Sequence, residues 1–132
     1  MVMMSFGAMA EDGNKAVVKE IGRFTTTMSD QPIVLPPGNV EVVASLYSIP
    51  PGKELPVHRH QYPRYGYVLA GELTVTNEVT KKTKTFMKGE FVTEAVQQWH
   101  KGRSSGATSL ELLVIDQGPP GTANTELKPG SN

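Results

Sequence analysis

Residues 52–71 read GKELPVHRHQYPRYGYVLAG and contain the pattern on which the fold prediction rests. His58 and His60, two of the three histidines in the chain, are separated here by a single residue. Alternate side chains of a β-strand point to the same face, so both imidazoles would project from one side. Two neutral nitrogen donors on one rigid face make half of a transition-metal site. Taken alone the pair is a weak signal, because one ring can equally be buried and hydrogen-bonded while the other is solvated.

On both sides of this segment the chain alternates between short β-type runs and turn signals. The runs are rich in Val, Thr, Tyr, Leu and Phe, and no long run has the apolar period expected of a helix. The predicted strands are residues 16–21, 24–27, 40–49, 55–60, 65–69, 73–77, 83–87, 91–94, 96–100 and 110–116. Many short strands separated by Gly and Pro turns predict an all-β sandwich or barrel, in which closure removes exposed edges.

The size and composition predict a single domain and exclude several classes of function. A chain of 132 residues is about the size of one domain. Thirteen basic residues balance thirteen acidic ones, so the charge provides no surface for nucleic acid. No stretch approaches the ~18 apolar residues of a membrane span, and the absence of cysteine excludes disulfides and thiolate metal sites. We therefore expect neither a nucleic acid nor a membrane as a partner.

The two ends of the chain are predicted to lie outside the folded domain, which we place at residues 15–118. Residues 1–14 contain AMA at residues 8–10, the small-residue pattern that precedes a signal-peptide cleavage site. A basic region is lacking, so this segment is either a signal-peptide remnant or a loosely ordered arm. The first interpretation implies a periplasmic or secreted protein, and the second a cytoplasmic one. The polar tail, residues 119–132, is expected to be a surface strap or a frayed end.

The residues around the histidine pair follow a spacing that is known from a protein family. Gly52, His58, His60 and Gly71 stand at fixed positions of the motif G-x5-H-x-H-x3-E-x6-G. Arg64 stands at the remaining fixed position, where the motif has glutamate. This is the first motif of the cupin family, which the chain therefore resembles.

A second segment resembles the second cupin motif, G-x5-P-x-G-x2-H-x3-N. Gly89 and His100 keep its opening glycine and its histidine, whereas Ala95, Gln97 and Ser104 replace the proline, the second glycine and the asparagine. The resemblance covers about residues 40–116 and implies a double-stranded β-helix, or jelly-roll barrel, with a metal or ligand inside it. The metal ligands that it implies are His58, His60 and His100.

Arg64 is the departure from the family pattern, because most metal-binding cupins have a glutamate ligand at this position. A guanidinium cannot bind a cation and would add a positive charge beside the ion. In one outcome three histidines hold the metal alone, as in the three-histidine cupin dioxygenases, and Arg64 anchors an anionic substrate. In the other, Arg64 turns away or pairs with a carboxylate such as Glu94 or Glu72, and metal binding is weak or absent. The ligand types leave iron, manganese, nickel and zinc open.

The resemblance implies a metal-dependent oxygenase or related oxidoreductase that acts on a small organic acid, diketone or phenolic compound. Arg64 and Glu94 are the candidate catalytic residues. The predicted substrate pocket consists of Tyr62, Trp99 and Gln97, which are close in sequence to the implied ligands. The alternative is a non-catalytic cupin module that binds a metal or small ligand, since the fold does not separate the two. By analogy with small cupins we expect a homodimer, to which residues 16–27 contribute.

Overall fold

The structure is a computed structural model and describes residues 13–131, so residues 1–12 of the predicted N-terminal arm lie outside it. This part of the chain contains nine β-strands and no α-helix. The strands are β1 (Glu41–Ile49), β2 (His58–Arg59), β3 (Arg64–Ala70), β4 (Glu72–Asn77), β5 (Thr83–Met87), β6 (Phe91–Thr93), β7 (His100–Ser104), β8 (Leu110–Gly118) and β9 (Glu126–Leu127). The residues described accordingly include no helix of the length and apolarity that a membrane crossing requires.

The strands form two antiparallel sheets that enclose one apolar core. One sheet has the order β1-β8-β3-β6 and the other the order β5-β4-β7-β2-β9. In β8 every second residue is buried, as expected of a strand with one face on the core. The core consists of Ile49, Val68, Leu73, Val75, Phe86, Val92, Leu110, Leu112 and Val114. Each such side chain stabilises the fold by about 1.5–3 kcal/mol when fully buried. This architecture confirms the predicted all-β jelly-roll barrel.

Gly71 forms the corner at which the chain passes from one sheet to the other. It is the single residue between β3 and β4, and its φ of +77° lies in the left-handed region that glycine adopts without strain. A Cβ atom on this residue would lie 2.6 Å from the carbonyl oxygen of Ser109 and 2.9 Å from Cα of Leu110. Both contacts are with backbone atoms, so no side-chain rotation relieves them. Glycine is therefore required at this corner.

The strands predicted at residues 16–21 and 24–27 are wrong. Residues 13–26 are exposed, and their only strand-like pairing in the part of the chain described is an isolated bridge between Thr26 and Pro32. The β-propensity of this segment does not suffice, because a strand also needs a partner edge and a surface to cover. The chain joins the body of the domain at Met28, whose N–H donates to the carbonyl oxygen of Thr93 at 2.8 Å.

Two other predicted strands differ from the observed ones, one in length and one in position. Of residues 55–60 only His58 and Arg59 form β2, and the nearby Pro56 has no N–H to offer a neighbouring strand. Of residues 96–100 only His100 belongs to a strand, because the residues before it form a bend in which Gln97 has a φ of +57°. β2 and β7 each begin with a histidine. The chain segments just before these strands therefore determine how the two histidines enter the barrel.

The C-terminal segment is a strap across β2. Glu126–Leu127 form β9, which pairs with β2 at the edge of the five-stranded sheet. The N–H of Lys128 donates to the carbonyl oxygen of Val57 at 2.9 Å, and the N–H of Val57 donates to Oγ of Ser131 at 2.9 Å. Of the two predicted alternatives, this segment is therefore the strap and not a frayed end.

Candidate metal centre

The three histidines come from two distant segments that β-pairing brings together. His58 in β2 lies directly opposite His100 in β7, and His60 follows β2 by one residue. Since alternate residues share a face, His58 and His60 both point inward on the same side as His100. The exposed fractions are 6% for His58, 0% for His60 and 1% for His100. The ring centroids lie 4.6 to 4.9 Å from one another, so the imidazoles form one compact buried cluster.

Each imidazole is oriented by a backbone carbonyl group. Nδ1 of His58 lies 2.7 Å from the carbonyl oxygen of Pro56, and Nδ1 of His100 lies 2.8 Å from that of Gln98. Nδ1 of His60 lies 2.8 Å from the carbonyl oxygen of Asn124, in the C-terminal strap. A carbonyl oxygen can only accept, so each Nδ1 carries a proton and each neutral ring has a lone pair on Nε2. Metal-binding histidines typically donate their other ring N–H to a carbonyl or carboxylate oxygen in this way.

The lone pairs on Nε2 face one another. Nε2 of His60 lies 3.2 Å from Nε2 of His100, and one ring nitrogen of each histidine lies within 4.8 Å of the others. Two lone pairs at that distance repel unless a cation lies between them. Two ligands that each lie about 2.1 Å from a tetrahedral or octahedral ion are about 3.0–3.4 Å apart. His60 and His100 therefore have the spacing of two ligands of one ion, and His58, His60 and His100 together could hold one.

Burial keeps two of the rings in the neutral form that binds metals. It lowers the pKa of His58 from 6.5 to about 4, despite the hydrogen bond to Pro56, which acts in the opposite direction. Burial also lowers the pKa of His100, although the charge of Glu94 opposes this shift. At neutral pH the His58 and His100 rings therefore carry a proton on Nδ1 only. A second proton would occupy Nε2, the nitrogen that is available to a metal.

Glu94, a candidate catalytic residue, lies beside the histidine cluster. It follows β6, and its Oε2 lies 3.3 Å from Nε2 of His60 while its Oε1 lies 3.8 Å from Nε2 of His100. Burial would raise the pKa of Glu94, but the contact with His60 and the charge of Arg64 outweigh it and lower the pKa to about 2. A negative charge therefore lies next to the imidazole nitrogens.

Arg64, the other candidate catalytic residue, is paired with a carboxylate, and its main partner is Asp116. Nε and Nη2 of Arg64 donate to the two Asp116 oxygens at 2.7 and 3.1 Å, and Nη2 also donates to Oγ1 of Thr125 at 2.9 Å. Nε lies 3.9 Å from Oε2 of Glu94, which is beyond hydrogen-bond distance. Although burial opposes it, the bond to Asp116 raises the pKa of Arg64 above its usual value.

Two residues of this site were not identified from the sequence. Asp116 and Asn124 are 8% and 7% exposed, and Nδ2 of Asn124 donates to Oδ1 of Asp116 at 2.8 Å. The Asn124 side chain also accepts from the N–H of Tyr62 at 2.8 Å, which fastens the strap to the chain beside His60. Asp116 had a detectable signal, because it continues the inward series of Leu112 and Val114 and a buried aspartate needs a partner. Asn124 had none, since the tail has no apolar periodicity.

The side-chain contacts that the structure gives for the three residues of the predicted substrate pocket are with residues other than the three histidines. Trp99 lies outside the cluster under Arg59, whose Cζ is 4.3 Å from the ring centroid. The Tyr62 ring lies against Gly118, where an added Cβ would be 3.3 Å from Cδ2. Gln97 lines an open surface groove of about 210 Å³ together with Arg59, Gln61 and Glu126.

A small enclosed cavity lies next to Arg64 and Glu94. Its volume is about 10 Å³, which is room for about one water molecule. Thr27 and Ile33, which precede β1, form part of its wall. The other lining residues are Pro63, Arg64, Tyr65, Thr93, Glu94 and Val96. An organic molecule would therefore have to displace the segment that contains Thr27 and Ile33 to reach the histidine cluster from this side.

Comparison with known proteins gives a family match for this chain. A family profile described as a cupin domain matches residues 45–116, more than half of the chain. The chain is similar in structure to a protein of Bacillus halodurans, with a TM-score of 0.55, 19% identity and coverage of 65% of this chain and 68% of the other. It is also similar to the DMSP lyase DddQ of Ruegeria pomeroyi, with a TM-score of 0.57, 24% identity and coverage of 66% of this chain and 43% of the lyase.

A third similar structure is the oxalate decarboxylase of Lactobacillus farciminis, in a formate complex. The TM-score is 0.56 at 20% identity, with coverage of 65% of this chain and 26% of the decarboxylase. At these identities the likeness shows the fold alone, and the chain spans less than half the length of the lyase and of the decarboxylase. A search of curated proteins gave no significant match.

Proposed function

This chain belongs to the cupin family, and we propose that its function depends on a divalent transition metal held by His58, His60 and His100. The observation that supports this most strongly is the set of Nδ1 hydrogen bonds to backbone carbonyl groups. These bonds leave no proton on Nε2 of a neutral ring, although Nε2 of His60 and of His100 are 3.2 Å apart. A cation among the nitrogens removes the repulsion. Iron, manganese, nickel and zinc all accept imidazole ligands.

We further propose that the protein is a metal-dependent oxygenase or related oxidoreductase for a small organic acid, diketone or phenolic compound. The metal, when bound, would supply Lewis acidity toward anionic oxygen donors, and iron, manganese or nickel would also supply a redox centre, which zinc would not. Imidazoles bind a metal in their neutral form, so they leave the positive charge of the ion to attract a carboxylate or an enolate. The buried rings also keep bulk water away from the site, which strengthens that attraction.

Arg64 contributes to this function through its charge more than through direct contact with a substrate. Its Nε and Nη2 atoms already donate to Asp116 and Thr125. A substrate would have to break these bonds to gain the same donors, at a cost of about 1.5–3 kcal/mol for each charge-assisted bond. Arg64 therefore stabilises the negative charges that lie beside the histidine cluster.

A second candidate function is a cupin module that binds a metal without turnover, and the size of the cavity favours it. The cavity of about 10 Å³ admits no diketone or phenol. Entry of an organic substrate from this side requires the segment with Thr27 and Ile33 to move away, whereas metal binding without turnover does not. The two candidates share the metal centre and differ in the need for this motion.

Elemental analysis of the purified protein tests the metal centre. We expect about one metal ion per chain, lost in His58→Ala and in His100→Ala because a ligand is removed. Gln61→Ala is the matched control, since Gln61 is exposed beside His60 and should leave the metal content unchanged. Wild-type protein that contains no metal and takes up none from Fe²⁺, Mn²⁺, Ni²⁺ or Zn²⁺ would contradict the proposal.

Oxygen uptake by the metal-loaded protein separates the two candidate functions. With a panel of diketones, small acids and catechols, an oxygenase should consume oxygen steadily above the rate of the same metal free in solution. His100→Ala provides the protein background. Metal-loaded wild-type protein that gives no uptake with any of these compounds would support the module without turnover.

We also propose that the chain forms a homodimer through its four-stranded sheet. β1 is an edge strand of this sheet, and its outer edge has no partner among residues 13–131. Its Val42 and Leu46 side chains are 58% and 75% exposed, and apolar edges of this kind favour pairing between chains. Light scattering should give twice the chain mass for the wild type and the single mass for Leu46→Lys. A monomeric wild type would contradict the dimer.

A further inference from the structure

Glu94 lies directly after β6, the strand next to that of Arg64, which is the residue that departs from the family motif. β3 and β6 are antiparallel neighbours with Tyr65 opposite Thr93, which brings Glu94 level with Arg64. The N–H of Glu94 donates to the carbonyl oxygen of Arg64 at 2.9 Å. The carboxylate missing from the motif position is therefore present one strand to the side, at the same height in the barrel.

The Glu94 carboxylate lies at the spacing expected between two ligands of one ion. Its Oε2 is 3.3 Å from Nε2 of His60, and Nε2 of His60 is 3.2 Å from Nε2 of His100. Two atoms that each lie about 2.1 Å from a common ion are about 3.0–3.4 Å apart. A single cation can therefore accept this oxygen together with the two imidazole nitrogens.

The buried charges around Glu94 also lack one positive charge. Both oxygens of Asp116 accept hydrogen bonds from Arg64, at 2.7 and 3.1 Å, so Asp116 matches the guanidinium charge. Glu94 is 3.9 Å from Arg64 Nε, and its side chain is only 14% exposed. One guanidinium and two carboxylates leave one net negative charge, and an unmatched buried charge is costly. A divalent cation beside Glu94 supplies the missing charge.

We propose that Glu94 is the fourth protein ligand of the metal and replaces the motif glutamate whose position Arg64 holds. The site is then three imidazoles and one carboxylate, built from a different strand than the family motif uses. This inference rests on the proposed function, because it requires that the three histidines bind a metal. An octahedral ion in this site keeps about two positions for other ligands, whereas three imidazoles alone leave about three.

Metal binding by chelator-treated protein tests the assignment, with Co²⁺ and Mn²⁺ as probes. Glu94→Gln should weaken both by at least about 100-fold, which exceeds the usual effect of losing an outer partner, and should change the visible spectrum of bound Co²⁺. Glu54→Gln is the matched control, because Glu54 is exposed and pairs with Lys101 away from the cluster. It should leave the affinity and the spectrum unchanged.

The wild-type protein provides a second measurement, which does not depend on the folding of a variant. With ¹³C-labelled glutamate carboxylates, the infrared difference between metal-loaded and metal-free protein should show one shifted glutamate band. Wild-type protein that binds neither Co²⁺ nor Mn²⁺ would overturn the proposed function. Binding with no shifted glutamate band, or with Glu94→Gln within about threefold of wild type, would overturn this inference and leave a three-histidine site.

Discussion

Replacement of Asp116 by asparagine should destabilise the metal-free protein, because it leaves the charge of Arg64 buried without its partner. Arg64 and Asp116 have side chains only 9% and 12% exposed and are joined by two charge-assisted hydrogen bonds. Loss of one partner of a buried ion pair costs about 3–5 kcal/mol. Asparagine keeps one acceptor oxygen for Arg64, and the Glu94 carboxylate lies 3.9 Å from Nε of Arg64 and compensates part of its charge. We therefore expect a loss of stability at the lower end of this range, about 3 kcal/mol.

The assay is urea denaturation of chelator-treated protein, followed by circular dichroism. For a domain of this size a loss of about 3 kcal/mol lowers the melting temperature by about 10 °C. The m-value should be unchanged, because the variant exposes the same surface on unfolding.

The chain contains a matched control for this experiment. Arg59 and Glu126 form the same type of contact at 2.8 and 3.2 Å, but their side chains are 37% and 60% exposed. Solvent screens such a pair, so Glu126→Gln should cost less than about 1 kcal/mol. If Asp116→Asn costs no more than Glu126→Gln, the buried pair does not contribute as its geometry indicates and the reasoning is refuted.

Three further predictions concern protonation, backbone geometry and the C-terminal strap. Burial lowers the pKa of His58 to about 4 from 6.5, so between these values the unfolded chain binds more protons than the folded one. The metal-free protein should therefore lose up to about 3 kcal/mol of stability as the pH falls from 6.5 to 4. A urea midpoint that stays level from pH 7 to 4.5 would contradict this. Gly71→Ala should cost about 3 kcal/mol or more, because it adds a backbone clash to the strain of a positive φ. Gly89 has a similar φ with open space around it, so Gly89→Ala should cost about 1 kcal/mol in urea denaturation of both variants. Equal losses of stability in the two variants would show that the clash at residue 71 is relieved. A chain that ends at Thr122 lacks the Asn124 carbonyl that orients His60, and its Co²⁺ affinity should fall about 10–100-fold. Unchanged affinity in the folded truncated protein would show that the strap does not support the site.

Most of the barrel could be predicted from local patterns. The predicted strands at 73–77, 83–87 and 110–116 lie within one or two residues of β4, β5 and β8. Burial alternates along β4 and β8, and in residues 73–77 that alternation is visible in the sequence itself. The runs at 16–21 and 24–27 have similar composition but no partner strand in the part of the chain described. Composition therefore indicated which segments could pair, and not which of them do.

The partners in the site could not be predicted in the same way. The family motif marks Arg64 as an unusual residue, and from the sequence Glu94 and Glu72 are its candidate carboxylate partners. Its main partner, Asp116, is 52 positions away and lies opposite it only because β3 and β8 pair in one particular register. Asn124 is 64 positions from His60 and reaches it from a tail with no apolar pattern.

By itself the sequence determined the family, the all-β class and the common face of His58 and His60, because spacing and the two-residue period of a strand are properties of a short piece of chain. Only the tertiary structure decided that Glu94 lies beside the imidazoles and that Asp116 forms the ion pair with Arg64. It also decided that the C-terminal tail orients the His60 ring. Each of these contacts joins segments far apart in sequence. Their alignment follows from the packing of whole strands around a shared core, which no local pattern specifies.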